Sequence, residues 1–343
     1  MKIDVLCESG SPIGVSEASI FGEDGRIGVG GSELYLLTLC HAWQEAGHDI
    51  TLYNNPMPQS RSIFAQRPIA SFRGKENRDI LIIFRNPNMR ILRATGLKIW
   101  LSCDQYNVGD FREFSKMVDK IVTISPRHAT YFKDTYGITN TTTIDIPVRC
   151  WEYDIPHNKV EKRCIFTSVP DRGLMCLNAA WPLILREVPD ASLTITSDWR
   201  LWSSDIPDTC TMDFRRAFLR QPNVEYLGAV NRKRLIDEQL KAQLHLYPNV
   251  YDELFCISVA ESQVAGAYPI TSNFGALETT NMGDIIAGDP RSPQWIDAFV
   301  ERAVNYLQHP DILLEKQKKN QASAKERFSI ETALERWERV FYD

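Results

Sequence analysis

The sequence predicts an α/β protein built from two parallel-sheet domains, and three observations carry that expectation. Strand-like apolar runs alternate with helical patterns along most of the chain, which is how parallel strands joined by crossover helices read. The 343 residues suffice for two domains with separate cores. Residues 148–162, rich in proline, charge and aromatics and without periodicity, interrupt the alternation as a linker would.

In the first half, strands are expected at 3–7, 49–53, 79–84, 98–102, 120–124 and 143–146, with helices at 32–46 and 127–135. Ligands of such sheets sit beyond the carboxyl ends of the strands. The first crossover contains GRIGVGGSELYLL, with Gly25, Gly28, Gly30 and Gly31 ahead of a helix and Ser32 as its expected N-cap. Glycines there permit either a flexible turn or close approach of backbone to a ligand. The dinucleotide fingerprint would need glycine where Glu33 stands. In IVTISPRHATYF, Ser125 is positioned to cap a helix with Pro126 in its first place. Arg127 and His128 then either face a ligand or belong to an exposed first turn.

Beyond the linker, strands are expected at 163–169, 192–196, 224–227, 243–247, 268–272 and 284–286. A helix runs from Leu174, with Pro182 as a kink, and another covers 232–240. Residues 203–220 are polar and irregular, with no assigned role. The loop PDRGL offers Arg172, whose fork of donors matches phosphate oxygens.

The most informative stretch is YPNVYDELFCISVAESQVAGAYPITSNFGALE, residues 247–278. Pro248, Asn249 and Asp252 break a strand, and from about Cys256 the apolar pattern suits a buried helix. Glu253 falls in the loop before that helix and Glu261 within it. A helix start leaves N–H groups unpaired and favours an anion. The amides of Phe255, Cys256 and Ile257 are the candidates, and a diphosphate is the expected anion. Carboxylates on either side would repel phosphate but accept bonds from hydroxyls, which points to a nucleotide sugar. The alternative is a pair of solvated helix charges.

Bulk properties set limits. Hydrophobic residues make up 43% and charged residues 24%, ordinary for a globular protein. A net charge of −5 gives no general pull toward nucleic acid or anionic lipid. No run approaches the roughly 18 apolar residues of a membrane span. The start, MKIDVLCESG, reads as a first strand and not as a signal peptide. The eight cysteines are scattered without a Cys-x-x-Cys, so neither a metal site nor a disulfide framework is expected, and the default compartment is the cytoplasm.

The ordered set Glu253-x7-Glu261, the preceding proline, the turn after the second Glu and the closing G-x-x-E at Glu278 resemble the signature of retaining glycosyltransferases of the GT-B fold, glycosyltransferase family 4. The resemblance implies two Rossmann-like domains facing across a cleft: residues 1–150 on the acceptor side, with a helix at about 327–343 packing back on them, and 151–326 on the donor side. Trp337, Val340 and Phe341 would form that helix's buried face. It implies that Glu261 holds ribose hydroxyls, Arg172 the pyrophosphate, and Glu253 with the amides of Phe255, Cys256 and Ile257 the sugar. Gly30 and Gly31 would close over the donor. The substrates would be a nucleotide diphosphate sugar and a hydroxyl acceptor, with no cofactor and no metal; the sequence also lacks Asp-x-Asp. Where the family often has a histidine near the reacting sugar, LKIWLSCDQYN places Ser102, Cys103 and Asp104, and Asp104 is the candidate polar group. The family's second basic residue is replaced by Thr167 or Ser168. Rival readings are a sugar-nucleotide epimerase, a non-catalytic nucleotide-sugar binding protein and a nicotinamide-dependent dehydrogenase, the last disfavoured by Glu33.

Overall fold

A computed structural model describes residues 1–7, 13–202, 213, 215–218 and 220–342. Most of the irregular stretch 203–220 therefore lies outside the described residues. The chain divides into two compact units: unit 1 holds residues 1–147 and the segment from Ile330, and unit 2 holds Val148–Ser329.

Unit 1 carries strands β1 (Lys2–Cys7), β2 (Asp49–Tyr53), β3 (Ala65–Arg67), β4 (Ile80–Phe84), β5 (Leu97–Leu101), β6 (Lys120–Thr123) and β7 (Thr141–Thr143). They form one parallel sheet in the order β3-β2-β1-β4-β5-β6-β7. The β4 sequence ILIIF is apolar throughout because both faces are covered. Its longer helices are α1 (Gly31–Glu45), α2 (Pro126–Tyr136) and, at the chain end, the helix Ile330–Tyr342.

Unit 2 repeats the plan with β8 (Arg163–Thr167), β9 (Ser192–Thr196), β10 (Val224–Tyr226), β11 (Leu244–Tyr247), β12 (Tyr268–Ser272) and β13 (Asp284–Ile286), in the order β10-β9-β8-β11-β12-β13. Its longer helices are α3 (Leu174–Glu187), α4 (Arg232–Lys241), α5 (Ile257–Val264), α6 (Pro293–Gln308) and α7 (Pro310–Arg327); the chain-end helix is then α8. Pro182 sits inside α3 without ending it.

Two local expectations change. The last strand of unit 1 is Thr141–Thr143 and not 143–146, because Ile144, Asp145 and Ile146 already lead out of the sheet toward the crossing into unit 2. Ser32 is not an N-cap: α1 starts one residue earlier, at Gly31, with Gly30 in extended conformation as its cap. The edge strand β3, half exposed and only three residues long, left no apolar run to find.

Each unit has its own core. In unit 1, Trp100 sits edge-on to Phe111 and Phe114, with Phe132 beside it. Helix α8 packs on α1, where Trp337 meets Trp43 edge-on at 5.1 Å and Phe341 lies beside both. Trp337, Val340 and Phe341 are its buried face. Lys120 Nζ donates to Val340 O at 2.6 Å, closing the C-terminal turn of α8. In unit 2, Trp181, Phe166, Tyr247, Trp295 and Phe299 fill the space between sheet and helices.

Candidate active site

In each sheet the strand order reverses beside the first strand, between β1 and β4 in unit 1 and between β8 and β11 in unit 2. In doubly wound sheets the loops that follow the two strands at such a reversal diverge at the carboxyl edge, and the crevice between them is the usual ligand position.

In unit 2 the diverging loops are the two that the sequence singles out. The loop after β8 carries Arg172 and Gly173, and the loop after β11 carries Pro248 to Cys256. They touch at the backbone: a Cβ on Gly173, whose φ is +102°, would lie 2.0 Å from Pro248 O. Only glycine fits there. The G-x-x-E turn is held the same way. Gly275, at φ +64°, would put a Cβ 2.3 Å from Glu253 O, and Ala276 N donates to that carbonyl at 2.7 Å. Both glycines thus fix where Glu253 and Arg172 stand.

Glu253 is largely buried. Its Oε1 accepts from Tyr247 Oη at 2.9 Å and lies 3.8 Å from Arg172 Nε. Burial pushes its carboxyl above the usual range, opposed by Arg172 and the tyrosine hydroxyl. Arg172 lies over the Tyr251 ring, its Cζ 3.1 Å from the centroid. Helix α5 then opens at Ile257. Cys256, its cap residue, has φ +73°, a left-handed conformation that costs a non-glycine residue about 1 kcal/mol or more. Its thiol is pushed up to about 12, mainly by burial, so Cys256 is no nucleophile at neutral pH.

Glu261 stands in α5 and is buried. Its Oε1 accepts from Arg232 Nη1 at 2.6 Å, and Arg232 also holds Glu152. Neither Arg232 nor Glu152 was legible as a site residue: one reads as an ordinary charge in a helical first turn, the other as part of an aperiodic linker. Glu278 stays at the surface, with Asn273 Nδ2 3.4 Å from its Oε1.

In unit 1 the strand ends nearest the reversal carry Cys7 and, just after β4, Arg85. Arg85 has φ +62° and grips Asp104, beyond the next strand, through two bonds of 2.7 Å. Asn107 Nδ2 adds a third bond to Asp104 at 3.2 Å. Burial opposes the charge on Arg85, but Asp104 and Glu33 hold it ionised. Asp104 is therefore a fixed, paired carboxylate. Arg85 was not legible as a site residue. His128 is fully buried against Phe132, pushed down to about 4 by burial. It belongs to the core; Arg127 stays half exposed.

Helix starts separate into two kinds. Those of α2, α4 and α6 are capped by the side chains of Ser125, Asn231 and Ser292. Those of α1, α3 and α5, which follow the glycine loop, the Arg172 loop and the Glu253 loop, carry no side-chain cap, and neither does that of α7, which follows none of these loops. Their first N–H groups are left for something other than protein side chains. Among the described residues, no group of three or more His, Cys, Asp or Glu could hold a metal ion. No described helix is long and apolar enough to cross a membrane.

No protein-family model and no curated protein matches this chain. Solved structures do. Sucrose-phosphate synthase from Thermosynechococcus elongatus is 14% identical with a TM-score of 0.70, over 99% of this chain and 98% of its own. AviGT4, a glycosyltransferase involved in avilamycin A biosynthesis, is 17% identical with a TM-score of 0.71, over 99% and 96%. HepE from Anabaena, solved in complex with UDP-glucose, is 13% identical with a TM-score of 0.69, over 99% of both chains. The fold is that of the GT-B glycosyltransferases: two parallel α/β units, each doubly wound.

Proposed function

We propose that this protein is a retaining glycosyltransferase that moves a sugar from a nucleotide diphosphate sugar to an acceptor hydroxyl. The observation that carries the reading is the convergence, at the unit 2 crevice, of Arg172, Glu253 and the uncapped start of α5, with Glu261 one helical turn further on. The diphosphate lies against the α5 N–H groups and Arg172. Glu253 accepts bonds from sugar hydroxyls, and Glu261 from the ribose. UDP is the first donor nucleotide to test, because HepE is a neighbour solved with UDP-glucose.

As the bond from sugar to phosphate breaks, negative charge grows on the leaving diphosphate. Arg172 and the helix amides stabilise it where it develops, without reorganising. Glu253 is already engaged by Tyr247 and Arg172, so it orients the sugar and is not the attacking group. The acceptor attacks on the face the diphosphate leaves, and a phosphate oxygen takes its proton. In unit 1, Gly30 and Gly31 at the open start of α1 are the candidates for closing over the donor, and the clamped carboxylate of Asp104 is the candidate polar group for the reacting sugar.

A thermal-shift screen with UDP-, GDP- and ADP-sugars tests the reading. One family of donors raises the melting temperature, and Glu261→Ala and Arg172→Ala abolish the rise. Product analysis with the best donor then separates transfer from donor-only epimerisation. Absence of any shift across the panel overturns the reading.

A further inference from the structure

Glu261 is one end of a buried row of four charges. Arg232 Nη1 donates to Glu261 Oε1 at 2.6 Å, while its Nε and Nη2 reach Glu152 Oε2 at 2.8 and 2.7 Å. Glu152 Oε1 accepts from Arg149 Nε at 2.5 Å. The signs alternate and sum to zero. No side chain in the row is more than 9% exposed.

The far end of the row has a distinctive address. Arg149 and Glu152 are among the first residues of unit 2, directly after the chain enters it at Val148. Val148 N donates to Phe328 O at 2.8 Å, next to the point where the chain leaves unit 2. Phe328 meets Phe255 edge-on at 5.7 Å, and Arg327 Nη1 donates to Thr279 O at 2.5 Å. Phe255, within the 253–278 stretch, and Thr279, just past its end, are therefore tied to the residues where the chain leaves the unit.

We propose that Arg232 is a positioning residue of the donor site: it keeps the Glu261 carboxylate ionised and aimed for ribose hydroxyls, and through Glu152 it couples nucleotide binding to the order of the crossing segment 148–153. The proposal rests on the donor-site reading above. A buried carboxylate without a cation takes up a proton. Burial already pushes Glu261 up and Glu152 adds to the push; Arg232 is the opposing charge. Gln239 from α4 and Tyr153 from the turn holding Glu152 are the other polar groups that face it. Lys159, which donates to Ala265 O at the far end of α5, serves that helix terminus instead. Because the row is neutral, it suits a neutral diol. A phosphate at that place would meet Glu261 with no spare cation.

The test is calorimetric titration of the full chain with UDP, GDP and ADP between pH 6 and 8.5, for wild type, Arg232→Met, Arg232→Lys and Glu152→Gln. Wild type binds one nucleotide with affinity flat over this range. Arg232→Met weakens binding at least tenfold at pH 6 and recovers part of it as pH rises and Glu261 ionises; Arg232→Lys stays within a few-fold. In Glu152→Gln, hydrogen exchange at 148–153, slowed by nucleotide in wild type, no longer responds to it. If Arg232→Met does not fold, the Lys and Gln variants carry the decision. Unchanged, pH-independent binding in Arg232→Met, or an exchange response that survives Glu152→Gln, overturns the proposal alone. Failure of wild type to bind any of the three overturns the donor-site reading with it.

Discussion

Both units place an arginine–carboxylate pair near the carboxyl edge of the sheet, and the two pairs are built for different circumstances. Arg85 and Asp104 in unit 1 are each about one fifth exposed. They join two loops through a planar, two-point grip, with a strained arginine backbone. Arg232 and Glu261 in unit 2 are 5% and 4% exposed and extend into a row of four charges. A pair open to water can be remade by water when one partner is lost. A buried pair cannot, so its arginine is tied to folding as well as to any ligand.

The sharpest way to break this contrast is at the glycines that bring the unit 2 loops together. Gly173→Ala places a methyl group against Pro248 O at a distance no contact tolerates. The Arg172 loop must then move off the Pro248–Glu253 loop. Nucleotide binding drops at least a hundredfold while unit 2 still melts cooperatively. Retained binding in Gly173→Ala would mean that the crevice is not where the nucleotide sits.

Next in size is the arginine comparison itself. Arg232→Ala leaves the buried Glu261 without its cation and Glu152 with Arg149 alone, and costs unit 2 about 3–5 kcal/mol of stability. Arg85→Ala costs unit 1 roughly 1–2 kcal/mol, since solvent compensates part of the loss. Urea melts read at tryptophans of each unit check the ratio. Equal costs would show that burial is not what separates the pairs.

How much of this was readable beforehand follows the same division. Parallel strands buried on both faces announce themselves as apolar runs, so most strands of both sheets were legible. The half-exposed β3 and the early end of β7 were not, because nothing apolar marks them. The backbone part of the site was legible too. Glycine and proline spacing placed the break after β11, and Glu253 stands in the loop and Glu261 in the helix as read. The partners were hidden. Arg85 lies 19 residues from Asp104 and Arg232 lies 29 from Glu261. Nothing local in either segment distinguishes those arginines from surface charges. Long-range pairing depends on which strand ends the topology brings together, and a single sequence does not state that.

Acid should separate the units as well. His128 in unit 1 is pushed down to about 4 and His245 in unit 2 to about 3, both mainly by burial. Each is neutral in the folded chain, whereas an unfolded histidine takes up a proton below about 6.5. Their stabilising effect is complete above that pH and is lost as pH falls through the window toward the folded values. Unit 1 stops losing stability from this source near pH 4, and unit 2 continues to about 3. Among the described residues, neither ring nitrogen of His245 has a hydrogen-bond partner. His245→Leu therefore sacrifices no bond and removes the unit 2 share. Melts at pH 7 and pH 4.5 check it: an acid loss in unit 2 identical to wild type would assign the sensitivity to other groups, such as the paired carboxylates.

The smallest effect concerns helix starts. Ser125 Oγ accepts from His128 N at 3.0 Å, and Ser125→Ala removes that cap at a cost of about 1 kcal/mol. Ser32, which stands inside α1 beyond its Gly30 cap, should cost less than about 0.5 kcal/mol when changed to alanine. Both serines belong to unit 1. The two serines look alike in sequence, each a polar residue ahead of an apolar helix. What differs is that α2 closes its own N–H groups and α1 leaves them open. A melting-temperature loss for Ser32→Ala as large as for Ser125→Ala would show that α1 is capped after all, and would remove its open amides from the set that the ligand is expected to use.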